Sequence, residues 1–449
     1  MSRILVIQMA KLGDFIQSTP FLAALRSTWP GRSITLAGAE AAVLEAARLS
    51  PLVEETLAIG PGRPEPEGEF EAVFNLNSAP AAAGLSGRVR AGQRFGPAAR
   101  GETLVFTPAQ NFLMGLMAED RRLARFNLAD VWLALAPEAG PRPLFWPAPN
   151  RPGPELSGGF GLRVGFHLGA KNHLRRWPVE NFVSLARTLG RLIGEFTPIL
   201  TGSAGEKALG AKFEKLGPPA VNLMGATDLS ELSRVLAGLD LLVTADTGVL
   251  HLAAALGTPA LALFFGPAYG PETGPYGPGH IIYQAEAPCG PCREGTCRLR
   301  QCLALPDPDQ AARLAWALLE SRASSGRPAK ARLPERLWAE TLAPGHRAWF
   351  TESDAFGQRL LPLGRPALTP GEALALAASW AGQAVLRPGF KPRPEDLAEL
   401  ASFYSPPDSR PARGRFRRLA ERLTGGMTPA IQASLVQGLD VLGLEIATI

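Results

Sequence analysis

Short apolar runs alternate with stretches of helical period through the first 135 or so residues of this chain. Arg3 to Gln8 reads as a buried strand, Phe15 to Thr28 as a helix, Ser33 to Leu36 as a strand, Ala39 to Leu49 as a helix and Glu71 to Leu76 as a further strand. Strands that alternate with helices imply crossover units and a parallel sheet. Prolines at 137, 141, 143, 147, 149, 152 and 154 then interrupt the pattern, which places an interdomain linker between Pro137 and Gly159. The alternation resumes with a strand at Arg163 to His167 and a helix from Val179 to Ile193, whose Phe182, Leu185, Leu189 and Leu192 share one face. Strands at Pro198 to Leu200, Ala220 to Leu223, Leu241 to Thr244 and Pro259 to Phe265 follow, with helices at Ala204 to Leu216, Leu229 to Gly238 and His251 to Leu256 between them. The expected fold class is α/β, with two Rossmann-like doubly wound domains facing a cleft. They occupy residues 1–150 and 160–323. From Ser324 onward Ala, Leu, Pro and Arg dominate, and helices are predicted from the capping box Thr369-Pro370-Gly371-Glu372 and from Thr428-Pro429. Residues 330–449 are therefore expected to form an all-helical extension.

Composition narrows the classes. With 46% hydrophobic and 19% charged residues in 449, the chain is neither disordered as a whole nor a disulfide scaffold. A net charge of +5 suits anionic substrates or membrane surfaces without demanding nucleic acid, and no basic patch interleaved with aromatics argues for a nucleic-acid partner. The N-terminal apolar run meets Lys11 and Asp14 too soon for a signal peptide, and Leu250 to Phe265 is broken by His251, Gly257 and Pro259 before it could span a bilayer. A cytoplasmic protein is expected.

Three constellations fall at strand-to-helix junctions that face the same predicted cleft, the place where open sheets of this kind bind ligands. In Lys11-Leu12-Gly13-Asp14, the glycine admits close backbone approach, and the carboxylate serves either as a general base or as a cap for the helix. Lys171-Asn172-His173-Leu174-Arg175-Arg176-Trp177-Pro178 offers cations and amides suited to a diphosphate, or is a solvated basic loop. Thr244-Ala245-Asp246-Thr247-Gly248-Val249-Leu250-His251 places Thr247 and His251 on one helix face, either to hold phosphate oxygens or simply to cap a core helix.

Taken together, Leu12-Gly13-Asp14 and Asp246-Thr247-Gly248-Val249-Leu250-His251, the latter continuing through Leu252 to Pro259, resemble the signature of the bacterial lipopolysaccharide heptosyltransferases, glycosyltransferase family 9, over roughly residues 1 to 320. The resemblance implies a GT-B fold and an inverting, metal-independent transfer of a sugar, heptose by default, from an ADP-sugar to a lipopolysaccharide core or related cell-envelope glycan. It implies no cofactor for catalysis. Asp14 would be the base, with Lys11, Gly13 and Lys171 in the flanking loops. Arg175 would hold the diphosphate, Glu206 would meet the ribose, and Asp246, Thr247, Gly248 and His251 would bind the donor. The implied acceptor is an anionic glycolipid at the cytoplasmic face of the inner membrane, with peripheral association there. Competing readings are a GT-B transferase acting on a protein or another surface polysaccharide, and a non-catalytic nucleotide- or sugar-binding protein.

Cys289, Cys292, Cys297 and Cys302 lie within fourteen residues, a spacing that suits a structural zinc site in a reducing compartment and equally admits disulfides or unliganded thiols. Arg88, Arg90, Arg94 and Arg100 form one basic cluster, and Arg410, Arg413, Arg415, Arg417, Arg418 and Arg422 another. Either would attract an anionic membrane surface, and the second also reads as an ordinary Arg-rich helix.

Overall fold

The computed structural model describes residues 2–60, 62–63, 65–100, 103–105, 121, 126–136, 142–149, 161–287, 289–292, 297, 299–325, 346–354 and 357–363. Two sheets organise them. The first runs β3-β2-β1-β4-β5, from β1 (Arg3–Ile7), β2 (Ser33–Gly38), β3 (Glu55–Ala58), β4 (Glu69–Asn75) and β5 (Arg90–Phe95), every pair parallel. A two-stranded antiparallel ladder, β6 (Ala98–Arg100) with β7 (Thr103–Val105), follows it. The helices of this domain are α1 (Leu12–Thr28), α2 (Ala41–Leu49), α3 (Pro80–Arg88) and α4 (Leu128–Leu133).

The second sheet has the order β10-β9-β8-β11-β12-β13-β14-β15. Its strands are β8 (Leu162–His167), β9 (Phe196–Thr201), β10 (Val221–Asn222), β11 (Leu241–Ala245), β12 (Ala260–Phe264), β13 (Ile281–Ala285), β14 (His346–Asp354) and β15 (Gly357–Leu363). The helices are α5 (Val179–Ile193), α6 (Lys207–Leu216), α7 (Leu229–Ala237), α8 (Gly248–Ala255), the short turns α9 (Gly270–Thr273) and α10 (Gln301–Ala304), and α11 (Pro308–Ser325). The strands from β10 to β13 pair in parallel, as the crossover pattern requires. The two doubly wound domains expected from the sequence are present, and the linker segment 142–149 is extended, with the backbone N–H of Phe145 donating to Thr19 Oγ1 at 2.9 Å.

One expectation is corrected. The segment beyond residue 330 is not all-helical, because β14 and β15 extend the second sheet as an antiparallel hairpin, with Ile281 opposite Phe350. Ala348, Trp349, Phe350 and Thr351 are all buried, so this aromatic and β-branched run pairs where both of its faces are covered. The helices expected from Thr369 and Thr428, and the basic cluster at 410–422, lie outside the described residues.

Helix α1 shows why the two domains meet. Its residues from Gly13 to Leu25 are buried almost without interruption, so it has no solvated face. Such a helix must be covered on both sides. The first sheet covers one side and the second domain the other, and a single apolar cluster joins Phe15, Ile16 and Leu22 to Trp132, Leu250, Leu252, Tyr276 and Trp349. Pro20 inside α1 cannot bond the Ile16 carbonyl, and Thr19 Oγ1 donates to that oxygen instead at 2.6 Å.

Candidate active site

The β1–α1 turn is held from beneath by Gln8, which is buried and accepts from the backbone N–H of Ala10 and from Asn77 Nδ2 at 3.3 and 2.9 Å. Lys11 stands exposed at the turn, and its backbone N–H donates to Asp14 Oδ2 at 3.1 Å. Both roles open to Asp14 are thus compatible. One oxygen caps the helix, while the carboxylate itself lies at the cleft. Burial raises its pKa above the ordinary value, against the pull of the Lys11 backbone hydrogen bond and the charges of Lys11 and Arg175.

The second domain supplies the facing wall. Arg175, at the end of a short turn over His173–Arg175, donates from Nη1 to Asp246 Oδ2 at 2.6 Å. Asp246 is buried at the end of β11, and Thr273 Oγ1 donates to the same oxygen at 3.3 Å. Burial pushes its pKa up to about 6; Arg175 opposes the rise and the charge of Asp14 adds to it. Asp14 and Asp246 therefore feel one another with Arg175 between them. His251 Nε2 stands 3.9 Å from Asp246 Oδ1, and burial, aided by the Arg175 charge, lowers the histidine to about 3. A neutral imidazole results.

Helices α1 and α8 approach N-terminus to N-terminus. A Cβ placed on Gly13 would fall 2.7 Å from His251 Cδ2 and 3.4 Å from the Gly248 Cα. Glycine at 13 is what this approach requires. Two helix N-termini and a guanidinium converging on one gap form a site for an anion. The Nε atom of Arg175 and His251 Nδ1 are buried without a hydrogen-bond partner among the described residues, as are Arg176 Nε and Trp177 Nε1 next in sequence to Arg175. Buried polar atoms of this kind signal a missing partner. Thr247, with Oγ1 3.3 Å from that of Thr244, and Gly248 open the first turn of α8 beside them.

The remaining expected residues sit further out. Glu206 accepts from Ser203 N and Oγ at 2.9 and 2.7 Å and lies 3.5 Å from Arg176. Burial works against its charge, but those bonds hold its pKa below the usual range. Its carboxyl packs on the β8 loop so closely that a Cβ at Gly169 would fall 2.2 Å away. Lys171 is exposed and reaches across the cleft mouth to Glu40 at 3.2 Å. Arg176, part of the basic loop but given no role of its own by sequence reasoning, donates to the Ala170 carbonyl at 2.8 Å and so fixes the loop that carries Arg175. Sequence reasoning missed Thr273, on a four-residue helix with no motif of its own, and Arg121, which ties the domains through Glu272 at 2.6 Å and the carbonyls of Pro267 and Cys292 at 2.9 and 3.2 Å.

All four cysteines are free thiols, with Cys289 exposed, Cys292 and Cys297 half-buried and Cys302 buried. Burial raises the Cys302 thiol, and the charges of the other three add to the shift. Standing at different depths, they do not close a ligand shell, and among the described residues no group of three or more ligating side chains is placed to hold a metal ion. Of the first basic cluster, Arg88 pairs with Glu65 at 2.6 Å and Arg94 is spent on the carbonyls of Ser86, Val89 and Ala91. Arg90 is exposed. Among the described residues no helix is long and apolar enough to cross a membrane.

Residues 161–303 match the family model of glycosyltransferase family 9 (heptosyltransferase). Over these residues the second domain is similar to glycosyltransferase family 9. Lipopolysaccharide heptosyltransferase 1 of Pseudomonas aeruginosa is 34% identical over 174 residues, 35% of this chain and 47% of that protein. Lipooligosaccharide heptosyltransferase 2 of Haemophilus influenzae is 34% identical over 121 residues, 26% of this chain and 33% of that protein. The chain thus spans about half or less of the length of these relatives. Among solved structures, a family 9 glycosyl transferase from Veillonella parvula superposes with a TM-score of 0.54 at 21% identity, covering 71% of this chain and 97% of that one. The Escherichia coli ADP-heptose heptosyltransferase II gives 0.50 at 21% identity, covering 72% of this chain and all of that one. The two domains therefore share the GT-B fold of these proteins.

Proposed function

We propose that this protein is an inverting glycosyltransferase that moves a sugar, heptose by default, from an ADP-sugar to a lipopolysaccharide core or related anionic glycolipid, with no metal in the chemical step. The observation that carries the reading is the apposition of Asp14, from the first domain, with Arg175, Asp246 and the N-terminus of α8 in the second. Asp14 takes the proton of the acceptor hydroxyl as that oxygen bonds to the anomeric carbon. The bond from carbon to the diphosphate oxygen breaks on the opposite face, and the departing charge falls to Arg175 and the two helix ends. A carboxylate made more basic by burial is a better acceptor for that proton than an exposed one. Asp246 keeps Arg175 aimed into the gap, and Thr247, Gly248 and His251 line the donor side. Glu206 is assigned to the ribose by its resemblance to the acidic position the family carries there.

The relatives' named substrates support the heptose and lipopolysaccharide parts of this reading. Action at the cytoplasmic face of the inner membrane, by peripheral association, goes with that acceptor. Asp14→Asn tests the chemistry. Transfer is expected to fall about 10²- to 10⁴-fold while ADP binding, read by thermal shift, survives. Undiminished turnover by this variant would reject the assignment. A structural zinc is a separate part of the proposal, supported by the spacing of the four cysteines. The ion would have to draw the thiols together. Elemental analysis should find about one zinc per chain, and a metal-free, fully folded protein would remove it.

A further inference from the structure

The β14–β15 hairpin lies at a buried polar seam between the domains, remote in sequence from every motif of the site. Gln358, in β15, donates from Nε2 to the Pro275 carbonyl at 2.8 Å, and its Oε1 accepts from the backbone N–H of Gly277 at 3.3 Å. These bonds hold the segment that immediately follows Thr273, the residue that donates to Asp246. The backbone N–H of Gln358 also donates to Asp130 Oδ2 in the first domain at 3.4 Å. Asp130 accepts on its other oxygen from the Tyr276 hydroxyl at 2.7 Å.

The network continues toward the reaction centre. Asn127, which caps α4, donates from Nδ2 to the Gly274 carbonyl at 3.0 Å and accepts from Gln17 Nε2 at 3.2 Å. Gln17 lies on α1 three residues after Asp14, one helical turn away. Gln17, Asn127, Asp130 and Tyr276 are all buried, so each bond fixes geometry in a medium where water cannot replace it. Trp349 of β14 belongs to the apolar cluster that spans both domains, and Leu360 of β15 packs against it.

We propose that the hairpin braces the two domains and that Gln358 is a positioning residue for Asp14 and Asp246, acting through the segment 274–277 on one side and through Asp130, Asn127 and Gln17 on the other. The brace stands on the geometry alone, and its catalytic consequence rests on the function proposed above. Residues from far along the chain thereby set the distance across a site built entirely from earlier ones.

Gln358→Met in the full chain keeps the volume and removes both side-chain bonds. Hydrogen exchange at the amides of Thr273–Gly277 is expected to quicken by about tenfold, while the backbone N–H that reaches Asp130 is kept. Under turnover, kcat should fall roughly tenfold with the donor KM within about twofold, since binding groups stay in place while their alignment loosens. The acid limb of the kcat profile should move toward lower pH, because an Asp14 less shielded from water, still facing Lys11, Arg175, Asp246 and the neutral His251, returns toward the ordinary carboxylate range. Unchanged exchange at Thr273–Gly277 would overturn the brace whether or not transfer is ever observed. Quickened exchange with unaltered kcat and acid limb would overturn the positioning role. The function reading fails by a different result, the absence of transfer by the unaltered protein from any sugar nucleotide.

Discussion

Gly13→Ala puts a single methyl group into the closest approach between the domains. The added carbon would lie 2.7 Å from Cδ2 of the His251 ring. Carbon atoms settle at about 3.5–4.0 Å, so the ring or α1 must give way by roughly 1 Å. The ring, carried on α8, is buried to 3% exposure. Two effects oppose one another. Alanine in place of glycine inside a helix is worth about 1 kcal/mol in its favour, while overpacking a tight contact costs about 1–3 kcal/mol. The expected net loss is about 1 kcal/mol, a fall of about 2–4 °C in Tm for a body of this size. Activity should suffer more, because a misplacement of about 1 Å between reacting groups costs on the order of 10²-fold in kcat/KM. Gly248→Ala is the control for stability alone, since its methyl would meet Gly13 N at 3.4 Å and Leu12 side-chain carbons at 3.5 Å and needs only small adjustments. Paired melting curves on the two variants, with turnover assays on Gly13→Ala, decide the matter. If Gly13→Ala melted higher than the parent and turned over normally, α1 and α8 would not meet in solution as described, and the site argument would fall with them.

Acid should destabilise the protein through its buried histidines. Burial lowers His167 and His280 to about 4 and His251 to about 3, so each folded value lies below the unfolded 6.5; their contribution is full above pH 6.5 and is lost as pH falls through those values. Asp246 runs the other way. Its folded value of about 6 exceeds the unfolded 3.8, so its contribution is complete below 3.8 and gone once pH has risen through 6. Asp14, also raised by burial, acts in the same sense as Asp246. Three histidines outweigh two acids, and Tm should fall as pH drops below 6.5, less steeply in His280→Leu, whereas a Tm flat from pH 7 to 4 would contradict the burial of these rings. Arg175→Lys keeps the charge but not the fork, and the donor KM should rise about 10- to 100-fold by the worth of a hydrogen bond between charged groups, read by steady-state kinetics. Lys171→Ala breaks an exposed pair with Glu40 and should change stability by less than about 0.5 kcal/mol in denaturant melts; a larger loss would mean that the pair holds the cleft mouth shut.

Much of the second domain was legible because its strands are short, continuously apolar and separated by helices of clear period. Leu241–Ala245 and Ala260–Phe264 are buried at every position, and Val179–Ile193 shows its inward face directly. Glu55–Ala58 escaped notice because this edge strand has no fully buried residue and carries no apolar run. The hairpin at 346–363 escaped for a different reason, since its strand character depends on pairing with β13, sixty residues earlier in the chain. Within the site, Asp14, Arg175 and Asp246 were visible as motifs at strand-to-helix turns. Thr273, Arg121 and Gln358 were not, because nothing local marks a side chain whose partner lies on another element.

The residues alone determined two α/β domains, the turns at which their ligand-facing groups stand and the family to which the second domain is similar. These are local properties, set by apolar period, turn chemistry and the reach of one strand and one helix. Only the tertiary structure decided that α1 would be buried on both sides, that Gly13 would press against His251, and that Asp14 would share a field with Arg175 and Asp246. That apposition depends on distances between segments more than 150 residues apart, which are set by the packing of a shared core and by no pattern within either segment.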